Sequence, residues 1–194
     1  ISLIAKNDIT QNITADYINY LYDYTDNESY VYLYSPIYSQ TGNVTLEASN
    51  TIDTTITATD DGDGGIEEYE DYSYNYSYID IEDVISTSGN ITLKASNTLT
   101  TNINAAEDVD PVGEIYEYYD YSYNDAEVYI YSDSGETIST SGNIDISATN
   151  TITKDIHADH IGYDNGEWYE GGYYDYSYNY AYLDIEDTLD TSSS

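Results

Sequence analysis

The feature that most constrains this chain is an alternating phrase that recurs four times. Thr41-Gly42-Asn43-Val44-Thr45-Leu46-Glu47-Ala48-Ser49-Asn50 returns as Ser88-Gly89-Asn90-Ile91-Thr92-Leu93-Lys94-Ala95-Ser96-Asn97 and as Ser141-Gly142-Asn143-Ile144-Asp145-Ile146-Ser147-Ala148-Thr149-Asn150. The chain opens on the same phrase at Ile1-Ser2-Leu3-Ile4-Ala5-Lys6-Asn7 and closes on Ser192-Ser193-Ser194, where Ser-Gly-Asn stands in other copies. The copies run 1 to 43, 44 to 90, 91 to 143 and 144 to 194. Repeat architectures bury their core only by stacking neighbours and usually carry atypical ends. Neither end reads as a cap, so the expectation is one link of something longer, with Ser194 handing over to an Ile1 equivalent.

Within each copy the alternation has period two, which marks a strand with one buried face. In copy two Val44, Leu46, Ala48, Asn50, Ile52, Thr54, Ile56 and Ala58 share one parity, and copy three follows with Ile91, Leu93, Ala95, Asn97, Leu99, Thr101 and Ile103. An asparagine recurs at one place in this inward row. Asn7, Asn50, Asn97 and Asn150 therefore suggest a stacked amide ladder at a corner between two strands, where Asn tolerates unusual dihedrals; an end to a hairpin strand is the plainer alternative. A variable Gly-, Asp- and Pro-containing stretch follows, then a tyrosine segment.

The tyrosine segment sets the outer surface. In copy two Tyr72, Tyr74, Tyr76 and Tyr78 share parity with Asp80 and Glu82, opposite Ile79 and Ile81; in copy four Tyr176, Tyr178, Tyr180 and Tyr182 share it with Asp184 and Glu186. Carboxylates are not buried without partners, and the chain has three lysines and no arginine against 38 acids. The rings are therefore expected to face out with the acids, although individual rings within Tyr17 to Tyr24 or Tyr116 to Tyr123 could replace the missing Phe in a local core.

These features predict an all-β parallel solenoid of four imperfect repeats with open ends. One large three-sided rung per repeat is preferred, with strands around Ile91 to Ala95, Thr98 to Ile103 and the equivalent of Tyr78 to Val84; two smaller coils per repeat is the alternative. The phrases 42 to 52 and 89 to 99 resemble the β-helical repeats of filamentous-haemagglutinin-like adhesins and related large secreted bacterial or archaeal surface proteins. The resemblance covers the first half of each copy, and the tyrosine segments depart from it. It implies secretion, a rod-like shape and a structural or adhesive role.

The formal charge of −35 repels phosphate and anionic lipid, which excludes nucleic acid as a partner. No stretch is apolar enough to insert as a membrane helix. The absence of Cys removes disulfides and thiolate metal sites. Acidic pairs recur rather than standing alone, so a catalytic site is not expected, although a polysaccharide-active β-helix is the enzymatic rival. If any cofactor binds, calcium is the candidate, at Asp60, Asp61 and Asp63 among glycines or at Asp80, Glu82, Asp184 and Glu186 on stacked rungs, together with Asp83 and Asp187. Zinc at His157 and His160 beside Asp159 is the weaker option. Sequons start at Asn12, Asn27, Asn43, Asn75 and Asn90, with Asn27 and Asn75 the expected acceptors if glycans are present. The expected function is an extracellular structural filament of identical units joined end to end from Ser194 to Ile1, with lateral packing through the tyrosine face; an adhesin stalk is the alternative.

Overall fold

In each copy the inward row supplies a first strand, the tyrosine segment a second, and a short segment a third, which reads Ile-Ser-Thr in copies two and three, Ile37-Tyr38-Ser39 in copy one and Thr188-Leu189-Asp190 in copy four. The computed structural model describes residues 1–59, 65–105, 114–131, 137–158, 160–161 and 172–191. Its elements are β1 (Ser2–Ala15), β2 (Leu21–Leu33), β3 (Ile37–Ser39), β4 (Val44–Ala58), β5 (Gly65–Ile81), β6 (Ile85–Thr87), β7 (Ile91–Asn104), β8 (Glu114–Ile130), β9 (Thr137–Thr140), β10 (Ile144–His157), β11 (His160–Ile161), β12 (Tyr173–Ile185) and β13 (Thr188–Asp190). No helix occurs among the described residues.

Among the described residues every pairing is parallel and joins like to like. Sheet one runs β1-β4-β7-β10, sheet two runs β2-β5-β8 with β11 and β12 both on β8, and sheet three runs β3-β6-β9-β13. Each repeat is thus one rung of a parallel β-solenoid, with successive rungs about 4.8 Å apart. Register is kept along the full strands: Leu3, Leu46, Leu93 and Ile146 align, as do Asn7, Asn50, Asn97 and Asn150. A one-residue slip would turn every inward side chain to solvent, so the strict alternation itself enforces this register.

The corner expected at the asparagines is absent. β7 runs unbroken from Ile91 to Asn104 in place of the two strands expected there, and β4 does the same across Asn50. No residue other than Gly42 has positive φ among the described residues. The asparagine amides bond across rungs and onto the facing sheet rather than to their own backbone, so nothing turns the chain there.

Sheets one and two face each other across a flattened interior. One apolar cluster gathers Val44, Leu46 and Ala48 with Ile79, Ile81 and Ile85 and their equivalents. The other gathers Ile56, Ala58, Ile66 and Tyr69 with Ile103, Ile115 and Tyr118. Tyr69 and Tyr118 are fully buried with ring centroids 5.4 Å apart, occupying core positions that Phe would fill in another chain. Between the clusters the interior is largely polar, with Asn50, Asn97, Asp71, Ser73 and Asn75 beside Ile52 and Leu99.

The turn into sheet one explains the Ser-Gly-Asn phrase. A Cβ on Gly89 would lie 2.4 Å from the Gly42 carbonyl carbon, and one on Gly142 would lie 2.7 Å from the Gly89 oxygen. Only glycine lets these turns stack at strand spacing. Beside them the Asn90 and Asn143 backbone N–H groups donate to Asn43 Oδ1 (2.9 Å) and Asn90 Oδ1 (3.0 Å). Asn43 and Asn90 thus tie successive turns together.

Candidate functional site: an outer tyrosine face over a buried carboxylate column

Tyrosine parity in β5, β8 and β12 sends one row of rings outward on every rung, and parallel register stacks them. Tyr72, Tyr121 and Tyr176 follow one another at 4.9 and 5.0 Å with rings within 7° and 11° of parallel. Tyr74, Tyr123 and Tyr178 follow at 6.0 and 6.3 Å, tilted. Tyr76 stacks on Tyr78 at 6.0 Å and Tyr180 on Tyr182 at 5.9 Å within their own strands. All eight rings of the expected aromatic face lie on the outer side, and in rung four all four are exposed.

Acids share these columns with the rings, and register decides which meet. Positions run Tyr32, Asp80, Tyr129, Asp184 and Tyr30, Tyr78, Glu127, Tyr182. Tyrosine hydroxyls donate to the carboxylates: Tyr17 to Glu67 and Tyr20 to Glu70 at 2.8 Å, Tyr123 to Asp125 at 3.0 Å and Tyr76 to Glu127 at 3.3 Å. Burial and carboxylate neighbours hold Tyr78 up at about 12, and the Glu70 hydrogen bond does the same for Tyr20. The phenols therefore stay protonated and act as neutral donors. In a chain nearly without cations, tyrosine hydroxyls take the place of basic partners.

The same register keeps the expected calcium acids of different rungs apart. Asp80 and Asp184 are separated by the rung that carries Tyr129, and Asp80 is buried, with its carboxyl raised by that burial and by Glu82. Among the described residues no group of three His, Asp or Glu side chains is arranged to hold a metal. Asp60, Asp61 and Asp63 lie outside the described residues, as do Asp159 and Ser194. His157 is exposed with Nε2 3.6 Å from Asp155. Asn27 and Asn75 are fully buried, so the folded chain offers neither to a glycosyltransferase. Their amides instead donate to the backbone oxygens of Thr51 and Thr98, each at 3.0 Å.

The asparagine row forms a bonded column. Asn50 Nδ2 donates to Asn97 Oδ1 at 3.2 Å, and Asn97 Nδ2 to Asn150 Oδ1 at 3.0 Å. Asn7 takes the same register position in rung one. At the junction position expected for the polymer, the Ile1 amine donates to the Asn43 oxygen at 2.8 Å. The Ile91 amide makes the matching bond to Asn143.

Sequence reasoning missed what lies beside the asparagines. Asp23, Asp71, Asp120 and Asp175 stack in register on the inward face of sheet two, and Asp71 and Asp120 are fully buried. The premise that acids must face out fails here, for three physical reasons. A hydroxyl two residues on donates to each carboxylate: Thr25, Ser73, Ser122 and Ser177, with Ser73 at 2.7 Å. Lys154 reaches in from sheet one and places Nζ 2.8 Å from Asp120 and 2.7 Å from Asp175. At Asp71, protonation relieves the remaining cost.

Burial and the neighbouring Asp120 push the Asp71 carboxyl up to about 7, a rise the Ser73 hydrogen bond only reduces. Burial also pushes Asp175 up, but the bonds from Lys154 and Ser177 outweigh it and leave that carboxyl below its usual range. Lys154 stands where Gln11, Thr54 and Thr101 stand on other rungs. The signal was available: a lysine and four aspartates fall on inward parity, at matching places.

Searches of protein-family models, curated proteins and solved structures return no match to this chain.

Proposed function

We propose that the chain is a structural segment of an extracellular filament, in which the solenoid continues rung on rung beyond these four repeats. The observation that carries this reading is the state of the core at its two ends. Leu46 and Leu93 are 0% exposed, whereas their register partner Leu3 in rung one is 42% exposed. Ile79 and Val128 are 0% exposed, whereas Leu183 in rung four is 44% exposed. Leu3 and Leu183 are thus surface where their middle-rung partners are core, while Val31 and Leu33 of rung one stay 7% exposed; a further rung would bury the open positions at about 25 cal/mol per Å².

The backbone supports the same continuation. The carbonyls of Ile1 and Ala15 accept from Thr45 and Thr59, so odd-numbered residues of β1 point their peptide groups at β4. Even-numbered ones present N–H and C=O along the outer edge, a template for another strand. The continuation comes from a second chain or from more of the same polypeptide. Outward tyrosines and carboxylates would meet neighbouring filaments laterally once cations screen the charge.

Concentrated purified chain should elongate into fibres with an axial reflection near 4.8 Å. Thr10→Pro with Asn12→Pro removes two outward donors while sparing the bonds to β4, and should stop elongation without lowering the thermal midpoint. A chain that stays monomeric at every concentration and salt, or proline variants that elongate equally, would sink the reading of separate subunits. Denaturing mass measurement on native surface material then separates subunits, which run at the mass of this chain, from one span of a giant stalk.

A further inference from the structure

Outer tyrosine columns close up where rings stack parallel, as from Tyr72 to Tyr121 at 4.9 Å. They cannot close where a short carboxylate takes a ring's place. Register puts Asp26 in rung one beside Tyr74, Glu28 in rung one beside Tyr76, and Asp125 in rung three on the other side of Tyr76. The result is an open groove of about 360 Å³ lined by Tyr24, Tyr30, Tyr74, Tyr76 and Tyr123, whose acids are Asp26, Glu28 and Asp125.

We propose that this groove binds an alkylammonium ion, with the rings against its alkyl groups and the three carboxylates supplying the opposing charge. Asp125 is the second, independent pointer. It is only 7% exposed, its Oδ2 accepts from the Tyr123 hydroxyl at 3.0 Å, and its Oδ1 has no hydrogen-bond partner. A buried carboxylate oxygen without a donor is costly, and burial raises the carboxyl accordingly. The chain's own cations are elsewhere: Lys154 is held by Asp120 and Asp175, Lys6 pairs with Asp8, and Lys94 lies on sheet one.

The walls select the kind of cation. Calcium or sodium needs oxygen ligands all round and keeps its water otherwise, and ring faces cannot replace that shell. A weakly hydrated ammonium gains from ring faces and carboxylates together, and aromatic pockets of this kind favour quaternary ammonium ions. Anions are excluded by the three acids.

Choline is the probe, titrated into the intact chain at constant ionic strength held by sodium chloride, with tyrosine ring signals followed by NMR. Saturable shifts confined to Tyr24, Tyr30, Tyr74, Tyr76 and Tyr123 are expected, with 3,3-dimethylbutan-1-ol, the neutral isostere, binding at least about tenfold more weakly. Asp125→Asn should weaken choline about tenfold, and Glu186→Gln, outside the groove, should leave it unchanged. Should Asp125→Asn not fold, Glu28→Gln on the exposed rim serves the same comparison. Isostere binding equal to choline, shifts spread evenly over every tyrosine column, insensitivity to the groove variants, or no saturable shift each overturns the proposal. These readouts do not depend on filament growth.

Discussion

Asp71 makes folding of this chain a proton-uptake reaction, and replacing it with asparagine isolates the effect. The carboxyl is fully buried between Asp23 and Asp120 in register, accepts from Ser73 at 2.7 Å, and leaves Oδ2 without a partner. Its folded pKa of about 7 lies above the ordinary 3.8, so the folded state holds a proton that the unfolded chain has released across that interval. Stability from this group is therefore full below about pH 4 and is lost as pH rises through about 7. The interval corresponds to about 4 kcal/mol between its ends.

Asp71→Asn removes the charge and keeps an acceptor for Ser73, and it adds an amide that donates to the neighbouring carboxylates. At pH 8 the thermal midpoint of the variant, followed by circular dichroism, should exceed that of the parent by on the order of 10 °C. Near pH 4.5 the two should converge. The comparison matters because general repulsion in a chain of charge −35 also eases on acidification, and the variant retains nearly all of that repulsion. A variant that is less stable at pH 8, or whose midpoint follows pH with the parent's slope, would refute the assignment of the proton to Asp71.

Three further outcomes follow from the same geometry. Lys154→Met leaves Asp120 and Asp175 without their cation and should cost about 3 kcal/mol, more at pH 8 than at pH 5, measured by urea denaturation. Gly89→Ala drives a Cβ against the Gly42 backbone and should cost at least about 2 kcal/mol, while Ser88→Ala on the exposed side of the same turn should cost little; paired urea titrations check both. Asn97→Ala breaks the bonds to Asn50 and Asn150 and strands buried acceptors at about 1 to 3 kcal/mol, so amide exchange should quicken in β4 and β10 together.

Much of the fold was legible because period-two alternation and fourfold recurrence are properties of the chain itself. Leu3, Leu46, Leu93 and Ile146 announce both a buried face and their own alignment. The direction of the tyrosines also follows from parity, since Tyr72 to Tyr78 and Ile79 to Ile81 cannot share a side. The asparagine corner was misjudged because Asn suits turns when its amide bonds locally, and here Asn50 and Asn97 spend theirs across rungs. Asp71 escapes a rule against unpaired buried charge because that rule assumes ionisation, and Asp120 because its remote partner Lys154 is not visible from one segment.

By itself, then, the sequence determined strand, parity, repeat and the parallel stacking of like on like, all of which depend on residues near one another or on exact recurrence. Tertiary structure alone decided what faces what across the interior. Lys154 meets Asp120 and Asp175 because two sheets close on each other, and Asp125 lies beside Tyr76 because a rung stacks on a rung. Proton affinity and the groove arise from those meetings, since burial and electrostatic coupling belong to the assembled environment and not to any single stretch of chain.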